Sequence, residues 1–470
     1  MKRFFALAPV IFLAACTTES RVVIVSTNDI HSSIDNFPRL ATLVEDLRAA
    51  EGADRVLLAD AGDRWTGNPF VDIAPQPLMP VVELQNELGY DVSTLGNHEF
   101  DWGQPRLRSR LDRMNFPVVG ANTESAGSEL GPVPPYVFIE AGGMRFAFLG
   151  LVYNTTQWRR PEGKAEHFIG LTFPDVVETA ARYAALADSA DVFVGLTHIG
   201  HDADVALAGA VPALDLIIGG HTHTVVEDAP LVNSTTLVTQ AGSRLRYAGV
   251  TTVTRQKGLF NGRRGQIDIE NRLVMLDTIA PSPRFEEMVR RYNSNPALLE
   301  PVGATAAPLD SWGVRNLVTD AIRADLGADI VLYHSGGIRV DTLAGGIATA
   351  DLHRIEPFLS EVYTLRMTPG QIKGLIMNRF AESPGRDVMP SGLAYTIVTD
   401  ESGRAVDVVF DRPERTSYLV AMPDYLYKNY IFDRSEEAAE TGRQVTDILR
   451  RHITAHNPLQ PDNGARIAIQ

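Results

Sequence analysis

The feature that most constrains this chain is a set of five short polar blocks, each following an apolar, strand-like run. The blocks are Asn28-Asp29-Ile30-His31, Asp60-Ala61-Gly62-Asp63, Gly96-Asn97-His98-Glu99-Phe100-Asp101, Thr197-His198 and Gly219-Gly220-His221-Thr222-His223. They contain five of the eleven histidines. Ligands of α/β sheets bind beyond the carboxyl ends of strands, so one fold can gather all the blocks at one edge. The pattern therefore predicts a sheet-based domain with a polar site at that edge.

Residues 21–280 alternate β-rich runs with helix-like stretches. Apolar runs such as 22–25 and 192–196 are followed by Gly or Asp turn signals, and helix-like stretches such as 38–50 and 80–88 lie between such runs. Alternation of this kind indicates a layered α/β domain whose helices cover the faces of a sheet.

A proline-rich break ends the first pattern. Pro281-Ser282-Pro283 precedes a charged, helix-compatible stretch that ends before Asn295-Pro296. Residues 281–298 are therefore predicted to be a linker helix. Residues 299–470 again mix strand-like and helix-like segments, and they are numerous enough to fold as a second, smaller α/β domain.

The composition narrows the class of protein. With 44% hydrophobic and 21% charged residues, the chain is typical of a globular protein with a sizeable core. Its net charge of −15 argues against binding a nucleic-acid polymer, because polyphosphate binding requires clustered Lys and Arg. A pair of bound cations would offset the acidity locally, so a small anionic substrate stays compatible with this charge. No protein partner is predicted.

The first residues carry an export signal. Lys2 and Arg3 precede an apolar stretch, residues 4–15, that is too short to span a bilayer comfortably. Leu13-Ala14-Ala15-Cys16 resembles a bacterial lipobox, so residues 1–16 are predicted to be a lipoprotein signal peptide and Cys16 the lipidated residue that attaches the protein to a membrane. The alternative is an ordinary buried cysteine, or a secretory signal cleaved nearby.

This signal predicts an exported protein that is lipid-anchored at the cell envelope, in the periplasm or at the cell surface. Cys16 is the only cysteine, so no disulfide is expected.

Seven side chains of the polar blocks are the candidate ligands of divalent cations. They are Asp29, His31, Asp63, Asn97, His198, His221 and His223. Asp29 and His31 are two residues apart, so at a strand end both can project to the same side. Gly62 allows the backbone to turn sharply before Asp63. A set of nitrogen and oxygen ligands without thiolate suits Zn, Mn, Fe or Co and does not choose among them.

These blocks resemble the calcineurin-like metallophosphoesterases, and specifically their 5′-nucleotidase branch. Residues 26–31, continuing to 36–40, are close to the opening motif of that branch, and residues 96–101 match its central motif. The resemblance implies a four-layer β-sandwich flanked by helices and two divalent cations. It also implies release of phosphate from a small phosphoester, most of all a nucleoside 5′-monophosphate, by metal-activated water.

The resemblance also assigns roles to single residues. One cation takes Asp29, His31, Asp63 and His223, and the other takes Asp63, Asn97, His198 and His221. His98, paired with Asp101, is implied to be the catalytic dyad: the carboxylate can fix the tautomer and favour the imidazolium, which stabilises the transition state or protonates the leaving group. Many members have Gln at the position of His223, and His also suits a metal. Glu99 is interpreted as structural.

The second domain resembles the substrate-binding domain of the same nucleotidases, through residues 316–321, 336–339 and 357–358. In that family the arginine helps to hold the substrate and the phenylalanine stacks on the base. The resemblance therefore implies that Arg339 and Phe358 bind substrate.

The match is weaker at two points in this domain. The family's second stacking aromatic normally precedes a Gly-Gly-Asp-Gly segment, which is absent here; Tyr425 or Tyr427 is the candidate in its place. Ser335 also replaces the first glycine of a Gly-Gly-Gly-Ile-Arg motif. The hydrolytic residues are complete, whereas the residues expected to select the substrate have diverged.

Three functions follow from these residues. The first is an extracytoplasmic 5′-nucleotidase with two metal ions. The second keeps the metals but acts on a 2′,3′-cyclic nucleotide, another phosphoester or a sulfur ester. The third is a surface-binding lipoprotein without turnover, against which the complete ligand set counts.

Overall fold

The computed structural model describes residues 18–156, 158–257 and 265–470. The predicted signal peptide and Cys16 lie outside the described residues. The strands of the first domain are β1 (Thr18–Thr27), β2 (Val56–Asp60), β3 (Val92–Thr94), β4 (Val118–Val119), β5 (Tyr136–Ala141), β6 (Met144–Val152), β7 (Val192–His198), β8 (Leu216–Ile218), β9 (Leu231–Val232), β10 (Thr236–Thr239), β11 (Tyr247–Lys257) and β12 (Gln266–Met275). The helices that accompany them are α1 (Phe37–Glu51), α2 (Pro69–Asp72), α3 (Met79–Leu88), α4 (Gln104–Leu111), α5 (Val176–Arg182) and α6 (His201–Ala210).

These strands form two sheets that pack face to face. The first sheet has the order β12-β11-β1-β2-β3-β4, and the second has the order β5-β6-β7-β8-β10-β9. Val22 and Ile24 of β1 pack between the sheets, whereas Val23 and Val25 face α1 and α3. Because β1 is covered on both faces, its apolar run is continuous rather than alternating.

Helices also cover the outer face of the second sheet. Ala180 of α5 and Leu207 of α6 pack against Phe193 and Ile217 of that sheet. The domain is thus ordered helix, sheet, sheet, helix, and this arrangement confirms the predicted four-layer sandwich.

Two helices follow the first domain, α7 (Pro283–Tyr292) and α8 (Pro296–Leu299). Pro283 opens α7, a position where the missing N–H of proline removes no helical hydrogen bond. Phe285 and Val289 of α7 are buried in the same core as α1 and α3. The helix predicted as a linker therefore packs against the first domain.

The second domain is also mixed α/β, as predicted. Its strands are β13 (Pro301–Ala304), β14 (Ile330–His334), β15 (Gly346–Ala348), β16 (Glu361–Met367), β17 (Val388–Ser391), β18 (Tyr395–Thr399), β19 (Ala405–Phe410), β20 (Tyr418–Pro423), β21 (Ala439–Gln444) and β22 (Ile467–Ile469). Its helices are α9 (Ser311–Leu326), α10 (Thr349–Ile355), α11 (Pro369–Glu382), α12 (Asp424–Asn429) and α13 (Val445–Ala455). The main sheet has the order β17-β14-β20-β16-β21. Across the described parts of the chain, none of the helices combines the length and apolarity needed to cross a bilayer.

Candidate metal centre

All five polar blocks lie at the carboxyl ends of strands. The first three follow β1, β2 and β3 of one sheet, and the last two end β7 and follow β8 of the other sheet. The paired sheets therefore bring the blocks together at one edge of the sandwich. This is the position that parallel strands favour for a ligand site.

The backbone at these strand ends adopts a conformation that L-residues rarely occupy. Positive φ angles occur at Asp29 (49°), His31 (48°), Asp63 (54°), His221 (84°) and His223 (56°). A left-handed backbone at a non-glycine residue costs free energy and tends to be kept where the surrounding fold needs the side chain in one place. Here it turns the side chains of successive loops toward a common centre.

One group of ligand atoms is formed by Asp29, His31 and His223. The Nε2 atoms of His31 and His223 are 3.0 Å apart, and His223 Nε2 lies 3.4 Å from Asp29 Oδ1. His31 Nδ1 is 3.0 Å from the carbonyl oxygen of Thr66, to which it can donate. That hydrogen bond leaves the lone pair of Nε2 facing the group, as is usual for a histidine that ligates a metal.

A second group is formed by Asp63, His198 and His221. His198 Nε2 lies 3.1 Å from Asp63 Oδ2, and His221 Nδ1 lies 3.2 Å from Asn97 Oδ1. Asp63 Oδ2 is also 3.9 Å from His31 Nε2, so this carboxylate faces both groups. The structure thus brings all seven candidate ligands to one place.

The chemistry of these side chains fits a bound cation. His198 is fully buried, and its Nδ1 lies 2.7 Å from the Ala61 carbonyl oxygen, so its Nε2 is turned toward the carboxylate of Asp63. Burial alone lowers the pKa of His198, but the carboxylates of Asp63 and Asp29 outweigh burial and raise the pKa to about 10. The surroundings of Nε2 therefore favour a positive charge, which a metal ion would supply.

The neighbouring His221 is held in its neutral form. Its burial, together with the positive charge of His198, lowers its pKa to about 4. Neutral imidazole is the form of histidine that ligates metals.

His98 and Asp101 form a close pair beside the ligand groups. His98 Nδ1 lies 2.6 Å from Asp101 Oδ2, which also accepts a 2.7 Å hydrogen bond from the Thr66 hydroxyl. Burial lowers the pKa of His98, but Asp101 and Asp63 outweigh it and hold the pKa above its usual value. His98 Nε2 lies 4.0 Å from Asp63 Oδ2, at the rim of the centre. The pair can present a proton to a group that lies over the ligand atoms.

Glu99, interpreted from the sequence only as structural, connects the loop that carries Asp63 with the loop that carries Asn97. The buried carboxylate accepts hydrogen bonds from the backbone N–H groups of Asp63 (2.9 Å), Arg64 (2.9 Å) and Gly96 (2.5 Å). A β-carbon at Gly96 would lie 2.2 Å from Asp63 Oδ1, so the two loops are in direct contact. Glu99 therefore fixes Asp63 relative to Asn97 and His98.

Replacing Glu99 with glutamine is expected to weaken cation binding by about 10- to 100-fold, as is found when the hydrogen-bond partner of a metal ligand is lost. The amide offers one weaker acceptor and turns an NH₂ group toward backbone N–H donors. Calorimetric titration of the metal-free protein with Mn²⁺ or Zn²⁺ measures the change.

The matched control for this variant is Asp91→Asn, which alters a carboxylate that accepts a 2.8 Å hydrogen bond from Leu58 N. Asp91 precedes β3, at the end of the sheet opposite the ligand loops, and its substitution should leave cation affinity unchanged. Equal affinities of the Glu99→Gln variant and the wild-type protein would contradict the role given to Glu99.

A cavity of about 670 Å³ extends from the candidate metal centre into the second domain. His98 and Asp101 line it on one side, and Arg339, Phe358 and Tyr425 line it on the other. The rings of His98 and Phe358 are 5.9 Å apart and nearly parallel, at 28°. Arg339 Cζ lies 5.9 Å from the Phe358 ring centre. The three candidate substrate-binding residues thus face the same space as the candidate dyad.

The alternative aromatic, Tyr427, lies elsewhere. It is buried beside Tyr363, its hydroxyl donates a 2.6 Å hydrogen bond to Glu437, and it is not part of the cavity wall. Tyr425 instead lines the cavity and stacks on His334 at 4.6 Å. Of the two candidates, Tyr425 is the one placed to contact a ligand.

Several residues of the cavity wall are not among the site residues predicted from the sequence. They include Glu162 and Lys164 from a loop of the first domain and Arg379, Asp387 and Tyr430 from the second. Lys164 Nζ lies 3.6 Å from Asp424 Oδ2, so this loop bridges the two domains. These residues belong to no local motif, and only the folded chain brings them together.

Two known protein families match this chain, one within each of its two domains. Residues 22–225 match the calcineurin-like phosphoesterase family, and residues 303–431 match the 5′-nucleotidase C-terminal domain. A 5′-nucleotidase of Vibrio cholerae is 26% identical, with 99% of this chain and 98% of that protein covered. The trifunctional nucleotide phosphoesterase YfkN of Bacillus subtilis is also 26% identical over 86% of this chain, which spans 31% of that longer protein.

The fold is shared with a solved structure. A 5′-nucleotidase precursor from Thermus thermophilus superimposes with a TM-score of 0.81 at 21% identity, covering 96% of this chain and 99% of that one. Both domains of the present structure therefore have the architecture of that protein.

Proposed function

Residues 22–225 belong to the calcineurin-like phosphoesterases and residues 303–431 to the 5′-nucleotidase C-terminal domains, which makes the chain a metal-dependent phosphoester hydrolase of 5′-nucleotidase type; we propose that it releases phosphate from nucleoside 5′-monophosphates outside the cytoplasm. The observation that carries this proposal is the cavity shared by the domains. It joins the candidate dyad to an arginine and two aromatic rings, a set suited to a phosphate attached to a base.

The proposed centre holds two divalent cations, Zn, Mn, Fe or Co. Asp29, His31, Asp63 and His223 would hold one, and Asp63, Asn97, His198 and His221 would hold the other. The proximity of these atoms, the buried Nε2 of His198 beside Asp63 and the position of Asp63 between the groups support the assignment. When bound, such cations lower the pKa of water and offset the negative charge of phosphoryl oxygens.

The side chains around the cations would perform the remaining steps. His98, held by Asp101, would stabilise the charge that develops on the phosphoryl group or give a proton to the leaving oxygen. Arg339 would hold the substrate from the second domain, since a guanidinium presents several fixed donors to anionic oxygens. Phe358 and Tyr425 would stack on the base.

Phosphate release from AMP by the purified protein, measured across a series of Zn²⁺, Mn²⁺, Fe²⁺ and Co²⁺ additions, tests the proposal. Hydrolysis that a chelator abolishes and a divalent cation restores is the expected result. Release of no phosphate from any nucleoside 5′-monophosphate, together with turnover of a 2′,3′-cyclic nucleotide or a sulfur ester, would refute the nucleotidase assignment. An absence of turnover on all these esters would favour a binding function.

The location outside the cytoplasm rests on the signal in residues 1–16, with Cys16 as the proposed lipidated residue. A Cys16→Ser variant is expected in the soluble fraction instead of the membrane fraction, because the thiol of Cys16 is the only one in the sequence that could carry a lipid. Separation of membrane and soluble fractions, with the wild-type protein as the reference, measures the change. Retention of the variant in the membrane fraction would contradict the anchor.

A further inference from the structure

Ser335, Arg379, Asp387 and Tyr430 form a hydrogen-bonded group in the second domain, here called the Arg379 cluster. Asp387 is its centre. One oxygen of this carboxylate accepts hydrogen bonds from the Ser335 backbone N–H (3.1 Å) and hydroxyl (2.5 Å). The other oxygen accepts from Arg379 Nε (2.5 Å) and from the Tyr430 hydroxyl. These four donors, which come from three residues, occupy both oxygens of the Asp387 carboxylate, so the side chains of the cluster are held rigidly together.

The cluster lies in the wall of the cavity that reaches the metal centre. Arg379, Asp387 and Tyr430 line it together with Phe358 and Tyr425. No residue of the cluster belongs to the metal ligands or to the candidate dyad. It is therefore placed to contact the part of a substrate that extends away from the phosphoryl group.

Arg379 is the member of the cluster with donors to spare. Its Nε is engaged by Asp387, its Nη1 lies 3.4 Å from the exposed Glu382, and Cζ lies 4.9 Å from the centre of the Tyr430 ring. In the described part of the chain, Nη2 makes no hydrogen bond. A guanidinium fixed on one edge and packed on an aromatic ring loses little entropy when it binds a further acceptor.

The charges around Arg379 favour a neutral acceptor over a second phosphate. Asp387 pairs with Arg379 directly, and Glu162 of the first domain lines the same cavity. Together with Glu382, 3.4 Å from Arg379 Nη1, these carboxylates outweigh the single positive charge of Arg379, so another anion bound there would meet carboxylate repulsion. A hydroxyl or carbonyl oxygen meets no such penalty and can still accept a hydrogen bond from the guanidinium.

Ser335 links the cluster to a departure noted in the sequence. In the 5′-nucleotidases this position holds the first glycine of the Gly-Gly-Gly-Ile-Arg motif. The hydroxyl of Ser335 donates a hydrogen bond to Asp387. The side chain that breaks the motif is therefore one of those that hold Arg379 in place through Asp387.

We propose that Arg379 is a specificity-determining residue that donates a hydrogen bond to a neutral acceptor oxygen on the leaving nucleoside. This inference rests on the proposed nucleotidase function. The acceptor is either a ribose hydroxyl or a carbonyl oxygen of the base, and the two sources are separable by experiment.

The test compares Arg379→Gln with wild-type protein on IMP, which carries both candidate acceptors, and on phenyl phosphate, which has no nucleoside. The variant is expected to raise KM for IMP and to lower kcat/KM by about 10- to 100-fold, the effect of losing a hydrogen bond from a charged donor. Hydrolysis of phenyl phosphate is expected to stay unchanged. A merely structural role would lower both activities alike.

Further nucleotides identify the acceptor. If a base carbonyl is bound, the variant loses activity on IMP but not on AMP, which carries an amino group in place of that oxygen. If a ribose hydroxyl is bound, the loss on AMP equals the loss on IMP, and it disappears on whichever of 2′-deoxy- and 3′-deoxyadenosine 5′-monophosphate lacks that hydroxyl.

Arg415→Gln provides a matched control. Arg415 also pairs with an aspartate, Asp329, at 3.0 Å and lies over a tyrosine ring, but it is outside the cavity wall. Thermal unfolding checks that both variants fold, and Tyr430→Phe gives a milder change that keeps the ring and removes one bond to Asp387. Should Arg379→Gln be unfolded, Tyr430→Phe is expected to raise KM for IMP in the same selective way.

Three results would overturn the inference. Equal losses on IMP and phenyl phosphate, or no loss on either, would contradict the role of Arg379 while leaving the proposed function intact. Hydrolysis of phenyl phosphate but of no nucleotide by the wild-type protein would contradict the proposed function and this inference with it.

Discussion

Replacing His98 with alanine is expected to lower kcat for nucleotide hydrolysis by about 10²- to 10⁴-fold, the usual contribution of a positioned acid or base. The imidazole is 2.6 Å from Asp101 and at the rim of the ligand groups, where it can present a proton to a bound phosphoryl ester. Steady-state kinetics on AMP with saturating metal measures the loss. Metal content, determined by mass spectrometry, is expected to equal that of the wild-type protein, because His98 is not among the proposed ligands.

His452→Ala is the control for this substitution. His452 lies on α13 in the second domain, where its ring stacks on His456, and it does not line the cavity. Full activity of the His98→Ala variant at wild-type metal content would show that the dyad assignment is wrong. A loss of activity that follows a loss of metal would instead make His98 part of the ligand set.

Replacing Asp63 with asparagine is expected to abolish tight binding of at least one cation and to lower kcat by at least about 10³-fold, because metal ions supply several kcal/mol of transition-state stabilisation. Asp63 Oδ2 lies 3.1 Å from His198 Nε2 and 3.9 Å from His31 Nε2, and it is the only carboxylate proposed to serve both cations. Asparagine keeps the size of the side chain and removes its charge. The substitution therefore tests the bridging charge rather than the packing.

Metal content per chain and AMP hydrolysis are the two measurements for Asp63→Asn. Asp91→Asn again serves as the control, since it removes a carboxylate charge in the same domain away from the ligand loops. Retention of two cations per chain with unchanged turnover would contradict the central position given to Asp63. Loss of one cation with retention of the other would show which of the two ligand groups depends more on Asp63.

The gathering of the candidate metal ligands was predictable because these residues follow a regular rule. Each polar block comes after an apolar run, and the carboxyl ends of neighbouring strands meet at one edge of a sheet. The positions of Asp29, Asp63 and His198 thus follow from local sequence together with one property of parallel strands. What the local sequence cannot give is the positive φ at Asp29 and Asp63, since neither is a glycine.

The Arg379 cluster was not predictable in this way. Ser335, Arg379, Asp387 and Tyr430 come from separate elements around β14, α11, β17 and α12, and no spacing rule connects them. Glu99 shows a different limit. Its place beside two ligands was visible in the sequence, but its three bonds to backbone N–H groups appear only when the loops are folded.

The two domains contribute different residues to the site, and this division affects how such proteins can evolve. Every proposed cation ligand and both members of the dyad lie between Asp29 and His223, whereas Arg339, Phe358, Arg379 and Tyr425 are contributed by the second domain. Substitutions in the second domain can therefore alter which ester is accepted without disturbing the chemistry that cleaves it. On this assignment, selection can change the choice of substrate through the second domain at a different rate from the reaction itself.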